Sequence, residues 1–197
     1  MPPKHIAFAI LLLVFTAHSG DSTITYANKT YKTAKIGTQT WLAENLNYEA
    51  EGSVCYENNP ANCAKYGRLY NWETAMKVCP KGWHLPSNAE WEKLFRFVDG
   101  DTGTKSPYYS YTAGKHLKAA SGWYKNRNST DKYGFSAMPG GSGDSDGFAG
   151  YNGYWWTASE YDSYSAAWSR YMVYQNGFAF LSTNIKSRLL SVRCIKD

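Results

Sequence analysis

The chain has 197 residues and a net charge of +5, from 21 basic and 16 acidic side chains. No run of Lys or Arg accompanies that surplus, so it argues against a nucleic-acid groove, which needs clustered cations. The 17 Tyr, 8 Trp and 8 Phe, beside 17 Gly, point instead to one turn-rich domain with more ring surface than its core absorbs.

The N-terminus predicts export. Lys4 supplies a positive charge, Ile6 to Thr16 is apolar, and Ala17-His18-Ser19 places small residues at the cleavage positions of a signal peptide. Residues 1–19 are therefore expected to be removed, leaving residues 20–197 as one domain. The apolar run is shorter than the about 20 residues a bilayer requires, and no second such run follows. No transmembrane span is expected after cleavage.

Thr23 to Tyr26 and Thr30 to Ile36 read as two strands around Asn28-Lys29, and Gln39 to Leu42 continues the extended opening. Glu51 to Pro60 reads as a polar loop. A first helix is predicted from Trp72, Ala75, Met76 and Cys79, spaced i, i+3, i+4 and i+7, with Asn71 as its cap and Pro80 and Gly82 as its stop. Ser87 and Glu90 form a capping box for a second helix, whose apolar stripe is Trp91, Leu94, Phe95 and Val98 and whose stop is Gly100. A shorter helical turn is expected over 113–120.

The second half changes character. Tyr133 to Met138 is a short apolar segment, and 139–147 is a loop rich in Gly, Ser and Asp. Tyr154 to Ser159 predicts a buried strand. Ala167 to Tyr174 and Phe178 to Thr183 flank Gln175-Asn176-Gly177, a hairpin signal. Leu189 to Ile195 predicts a last strand. Helices in the first half and antiparallel strands in the second make an α+β domain.

Cys55, Cys63, Cys79 and Cys194 form an even set in a chain expected to be exported, which favours disulfides. Three pairings are possible. The short spacing favours a local Cys55–Cys63 bond, leaving Cys79 for Cys194. The alternative, a four-thiolate zinc site, lacks the Cys-x-x-Cys pairs such sites use.

The segment from Trp72 to Ser87, with Glu90 and Phe95, resembles the two-helix signature of C-type-lectin-like domains. That resemblance also implies a bond between the helical cysteine, Cys79, and one in the final strand, Cys194. More closely, the chain is similar to the Fibrobacter succinogenes major paralogous domain. The motifs that carry the likeness are 35–48 (Lys-Ile-Gly-Thr-Gln-Thr-Trp-Leu-Ala-Glu-Asn-Leu-Asn-Tyr), 66–72, 79–86, Tyr154-Trp155-Trp156-Thr157-Ala158-Ser159 and Ser191-Val192-Arg193-Cys194. The resemblance implies export from a bacterium and a disulfide-stapled lectin-like fold.

A related branch of that fold holds formylglycine-generating oxidases, which use a reactive cysteine pair binding copper, and another branch uses clustered histidines. Here Cys194 has a structural partner assigned. Beyond the signal region only His84 and His116 remain, and His84, between Trp83 and Leu85, reads as a structural histidine. No catalytic residues are assigned, and no cofactor is expected. The tripeptides of calcium-dependent sugar sites are missing. Asp144 and Asp146, or Asp99 and Asp101, are the carboxylates that could hold a structural calcium.

The aromatic hairpin is the candidate site. Side chains of a strand alternate between faces, so Trp168, Tyr171, Met172 and Tyr174 cannot share one. With Tyr161, Tyr164, Phe178 and Phe180, they are expected to present rings to solvent, with Arg170 and Asn184 as polar partners. Tyr108 to Tyr111 is a secondary cluster, read as loop packing. Aromatic platforms stack on sugars and anchor protein interfaces. The expectation is a secreted or cell-surface binding module for a glycan or a cell-surface protein, with homo-assembly or a structural role as the alternative.

Overall fold

The computed structural model describes residues 22–100, 106, 108–126, 128–143, 147–162 and 164–197. The expected signal segment lies outside them. In chain order the elements are β1 (Thr23–Tyr26), β2 (Lys29–Ile36), β3 (Gln39–Leu42), β4 (Ser53–Val54), α1 (Pro60–Tyr66), β5 (Leu69–Tyr70), α2 (Trp72–Ala75), β6 (Trp83–His84) and α3 (Asn88–Asp99). There follow β7 (Tyr109–Ser110), α4 (Ala113–Leu117), β8 (Asn152–Glu160), β9 (Ala166–Val173), β10 (Ala179–Ile185), β11 (Leu190–Ser191) and β12 (Ile195–Lys196). The domain is α+β, but strands are spread along the whole chain rather than gathered in its second half.

Two sheets organise the molecule. One runs β1-β2-β3-β12-β6, and the other β4-β5-β11-β8-β9-β10-β7. The β11–β8 pair is parallel, Ser191 opposite Trp155, and the other pairs of named strands are antiparallel. The C-terminal segment thus contributes β11 to one sheet and β12 to the other. Among the described residues no helix is long and apolar enough to cross a membrane.

Both disulfides form in the pairing the spacing favours. Cys55 joins Cys63 across eight residues, and Cys79 joins Cys194 across 115. On a chain-entropy basis the long bond contributes about 4.7 kcal/mol and the short one about 2.5 kcal/mol.

The Ser87 side chain accepts from the Glu90 amide while the Glu90 carboxylate accepts from the Ser87 amide, so α3 starts where its sequence predicts. Its stripe of Trp91, Leu94, Phe95 and Val98 is buried. The preceding helix is shorter than its spacing suggests. The helix ends at Ala75, with the Met76 amide making its last bond back to the Trp72 carbonyl; Met76 is exposed, and Val78 turns into the core. Pro80 disfavours helix at the residue before it, and that residue, Cys79, is held by its disulfide. An unexpected helix, α1, starts at Asn59, whose side chain accepts from the Ala61 amide ahead of a first-turn proline.

Successive tryptophans of β8 serve opposite faces of their sheet, as the pleat requires. Trp155 joins the cluster of Trp41, Trp91, Phe95 and Phe135 under α3, while Trp156 joins Tyr70, Trp72, Leu190 and Val192. Asn45 ties the layers together. Its Oδ1 accepts from Trp155 Nε1 at 2.9 Å and from Arg193 Nη2 at 2.7 Å, and its Nδ2 donates to the carbonyls of Tyr66 and Met138. Arg193 is fully buried and donates also to the carbonyls of Leu42, Phe135 and Ser136. Burial pulls its pKa down to about 9, against the opposing pull of Asp131 and Glu44.

Candidate functional site

Register builds an aromatic strip across three strands. Tyr154 of β8 sits opposite Tyr171 of β9, which sits opposite Phe180 of β10. Opposed side chains share a face, so the rings stack: Tyr154 on Tyr171 at 5.7 Å and 26°, Tyr171 on Phe180 at 4.7 Å and 16°. The strip then turns. Phe178 meets Phe180 edge-on at 5.8 Å, Tyr111 meets Phe178 at 5.0 Å and 74°, and Tyr109 meets Tyr111 at 4.9 Å and 62°. β7, paired to β10 through Ala179–Ser110 and Phe180–Tyr109, brings in the last two rings. All six rings are partly or largely exposed. Tyr154, Tyr171 and Phe180 lie nearly parallel, whereas Tyr109, Tyr111 and Phe178 meet at steep angles at the strip's other end. Tyr111 is 48 % exposed and its neighbour Tyr108 62 %. The Arg188 guanidinium closes the other end, 5.6 Å from the Tyr154 ring centre.

The nine expected site residues do not form one surface. Tyr171, Phe178 and Phe180 lie on the strip. Trp168, three positions from Tyr171, falls on the opposite face and is met edge-on by Tyr161 at 5.0 Å. Tyr164 stands 92 % exposed in the β8–β9 connection. Tyr174 belongs to a separate group, standing edge-on to the stacked pair Tyr124 and Tyr151.

Two expected polar partners need correction. Arg170 is 1 % exposed: it points under α3, with its guanidinium over the Phe95 ring and Nη2 donating to the Asn88 carbonyl. Burial lowers its pKa to about 10. Asn184 is also buried, its amide donating to Ser169 Oγ at 2.7 Å and its oxygen accepting from Arg188 at 2.7 Å. Neither is offered to a ligand. Asn184 finds its partners inside the fold, as buried amides do, while Arg170 is held by the Phe95 ring and the one bond to Asn88, its Nε and Nη1 having no hydrogen-bond partner among the described residues.

The hairpin tip that carries Phe178 is held from below by its own carbonyls. Lys118 is buried and its ammonium donates to the carbonyls of Val173 at 3.0 Å and Asn176 at 2.7 Å, 5.0 Å from the Trp123 ring centre. Burial lowers its pKa to about 8. The Lys115 amide donates to the Gly177 carbonyl, and Asn128 to that of Gln175. Gly114 permits this approach, since a Cβ there would lie 2.1 Å from the Phe178 carbonyl oxygen.

The other candidates resolve as ties within the fold. His84 is pinned between carboxylates, Nδ1 to Asp197 at 2.7 Å and Nε2 to Glu90 at 2.8 Å. Burial works against its charge, but the hydrogen bonds and charges of Asp197 and Glu90 outweigh it, and its pKa is raised. The two acids bind opposite ring nitrogens and so share no common point for an ion. Asp99 accepts from the hydroxyls of Ser110 and Thr112, both at 2.6 Å. Asp101, Asp144 and Asp146 lie outside the described residues.

Tyr154, Tyr109 and Tyr111 are the strip residues that sequence reasoning did not place there. Their sequence signal is composition alone; what joins them to Tyr171 is strand pairing across tens of residues.

No curated protein and no solved structure matches this chain. A family model does: that of the Fibrobacter succinogenes major domain matches residues 34–196. The match runs from the end of β2 through β12 and includes the Cys79–Cys194 bond and the whole aromatic strip, and the chain belongs to the Fibrobacter succinogenes major domain family.

Proposed function

We propose that this chain is a non-catalytic binding module of the cell exterior, lectin-like in fold, that engages a glycan along the strip from Tyr154 to Tyr111. The observation that carries the reading is the strip itself, six contiguous rings that remain partly solvent-exposed on one sheet. Such rings pack against sugar C–H faces at low entropic cost, because each has only two side-chain torsions to fix. Tyr111 and Phe178, where the strip ends, are the proposed stacking positions. The two disulfides are compatible with an extracellular location. They also occupy the thiols that an oxidase of the formylglycine-generating type would need, since Cys194 is buried and bonded to Cys79.

A second reading, an interface for protein or self-assembly, draws support from the stacked interior. Tyr154, Tyr171 and Phe180 face one another, and a row of ring edges suits a broad partner better than a single sugar. Retention on insoluble polysaccharides, compared between the wild type and Tyr111→Ala/Phe178→Ala, separates the two. Retention lost in the variant supports the glycan. No retention by either protein, with dimers in native mass spectrometry, supports assembly.

A further inference from the structure

We propose that a second ligand site lies away from the aromatic strip, in the cleft between β2, the 43–45 segment, α1 and the 119–138 loop, and that it takes a carboxylate-bearing sugar such as a uronate. The cleft encloses about 530 Å³, within the range of small-ligand sites. Its rim carries Lys29, Lys32 and Lys65, and its acids are Glu44 and Asp131. Both acids are already engaged. Glu44 accepts from the Lys29 ammonium and the Lys32 amide, both at 3.1 Å. Asp131 accepts from the amide and hydroxyl of Ser136. Among the described residues, Lys32 and Lys65 have no carboxylate within ion-pair range.

A further cation stands behind the wall. Arg193 hydrogen-bonds Asn45 and the Ser136 carbonyl, two residues that line the cleft, and all its hydrogen-bond acceptors are uncharged. Its charge is hydrogen-bonded only to dipoles and is offset in part by Asp131 and Glu44; the remainder projects through low-dielectric protein, and a concave wall focuses it. Counted together, the cations Lys29, Lys32, Lys65 and Arg193 outnumber the carboxylates Glu44 and Asp131 by two, so the cleft carries a net positive charge, held at its rim by Lys32 and Lys65. That arrangement selects an anion. The remaining wall favours a sugar over a bare inorganic ion: Ala43, Ala64, Ala119 and Met138 offer apolar contact beside the hydroxyls of Ser121 and Ser136.

Titration with digalacturonate, followed by amide chemical shifts and calorimetry, tests the site in the full domain. Lactose serves as the uncharged control and inorganic phosphate as the bare-anion control. The proposal expects shifts at residues 64–67 and 119–121, weakening with added salt, and an affinity about tenfold lower in Lys32→Ala/Lys65→Ala. Both lysines are exposed, so that variant keeps the fold. Lys93→Ala, exposed on α3 outside the cleft, should bind as the wild type does. Absent binding, equal binding of lactose, equal binding of phosphate, or shifts confined to Tyr111 and Phe178 would each overturn it. The last result would leave the aromatic-strip reading standing.

Discussion

Replacing Arg193 by Met tests how the two sheets are joined. Met fills similar length but removes every donor. The carbonyls of Leu42, Phe135 and Ser136 lose this partner, while Asn45 Oδ1 keeps the Trp155 indole. An orphaned buried acceptor costs about 1–3 kcal/mol, so three together cost about 3–9 kcal/mol. Against that, the variant no longer buries a charge, which returns several kcal/mol. The net expectation is a loss of about 2–4 kcal/mol, a large share of the about 5–15 kcal/mol that holds a domain folded. Urea unfolding followed by tryptophan fluorescence should show a lower midpoint at unchanged slope. Arg96→Met, at an exposed α3 position, should shift stability by no more than about 0.5 kcal/mol. An Arg193→Met loss as small as that would refute the account of the network.

The other expectations follow from the same contacts. Replacing Cys79 and Cys194 together by Ser should cost about 4–5 kcal/mol, and replacing Cys55 and Cys63 about 2.5 kcal/mol; equal losses in thermal unfolding would contradict the loop-length argument. The raised His84 pKa means the folded state holds that proton more tightly, so the His84 clamp is fully present below the ordinary value of 6.5 and is lost as pH rises through the folded value. Glu90 shifts the other way: burial opposes its charge, but the Ser87 and His84 bonds win, and its contribution is lost as pH falls through its lowered pKa. His84→Gln should therefore cost most near pH 5.5 to 6, by up to about 1 kcal/mol for so exposed a cluster, and little at pH 9; a pH-independent difference would contradict this. Lys118 behaves oppositely to His84, because burial lowers its pKa to about 8. The unfolded chain then binds more protons above that pH, so stability gains from Lys118 as pH rises from about 8 toward 10. Denaturant midpoints of wild type and Lys118→Met should diverge in that window, and parallel curves would count against a buried ammonium at the hairpin tip.

Local chemistry was legible in the sequence where a signal acts within a few residues. The Ser87–Glu90 box, the α3 stripe, the Gln175–Gly177 turn and the short Cys55–Cys63 loop are all of that kind. The α1 helix carried its own signal in Asn59-Pro60, which reads equally as a turn until Cys63 is placed by its disulfide. The i, i+3, i+4 spacing of Trp72 to Cys79 misled because a four-residue helix and a tight turn bring Trp72, Ala75 and Cys79 to one side, as a two-turn helix would, while leaving Met76 exposed. The site was legible only as a surplus of rings. Which rings meet depends on register between β7, β8, β9 and β10, and a one-residue slip would move Tyr171 to the buried face. Arg170 and Asn184 show the limit from the other side: their strand positions are plain, but only the packing of α3 and Arg188 over them turns them inward.

Binding along the strip is the central claim, and affinity capture tests it most directly. Wild-type protein and Tyr111→Ala/Phe178→Ala should be passed over a set of plant and bacterial polysaccharides, with folding of both verified by thermal unfolding. The account predicts wild-type retention on at least one polysaccharide and at least about fivefold weaker retention of the variant, since two stacking rings contribute about 0.5–1.5 kcal/mol each. Equal retention of both proteins, or retention of neither on any polysaccharide, would contradict it.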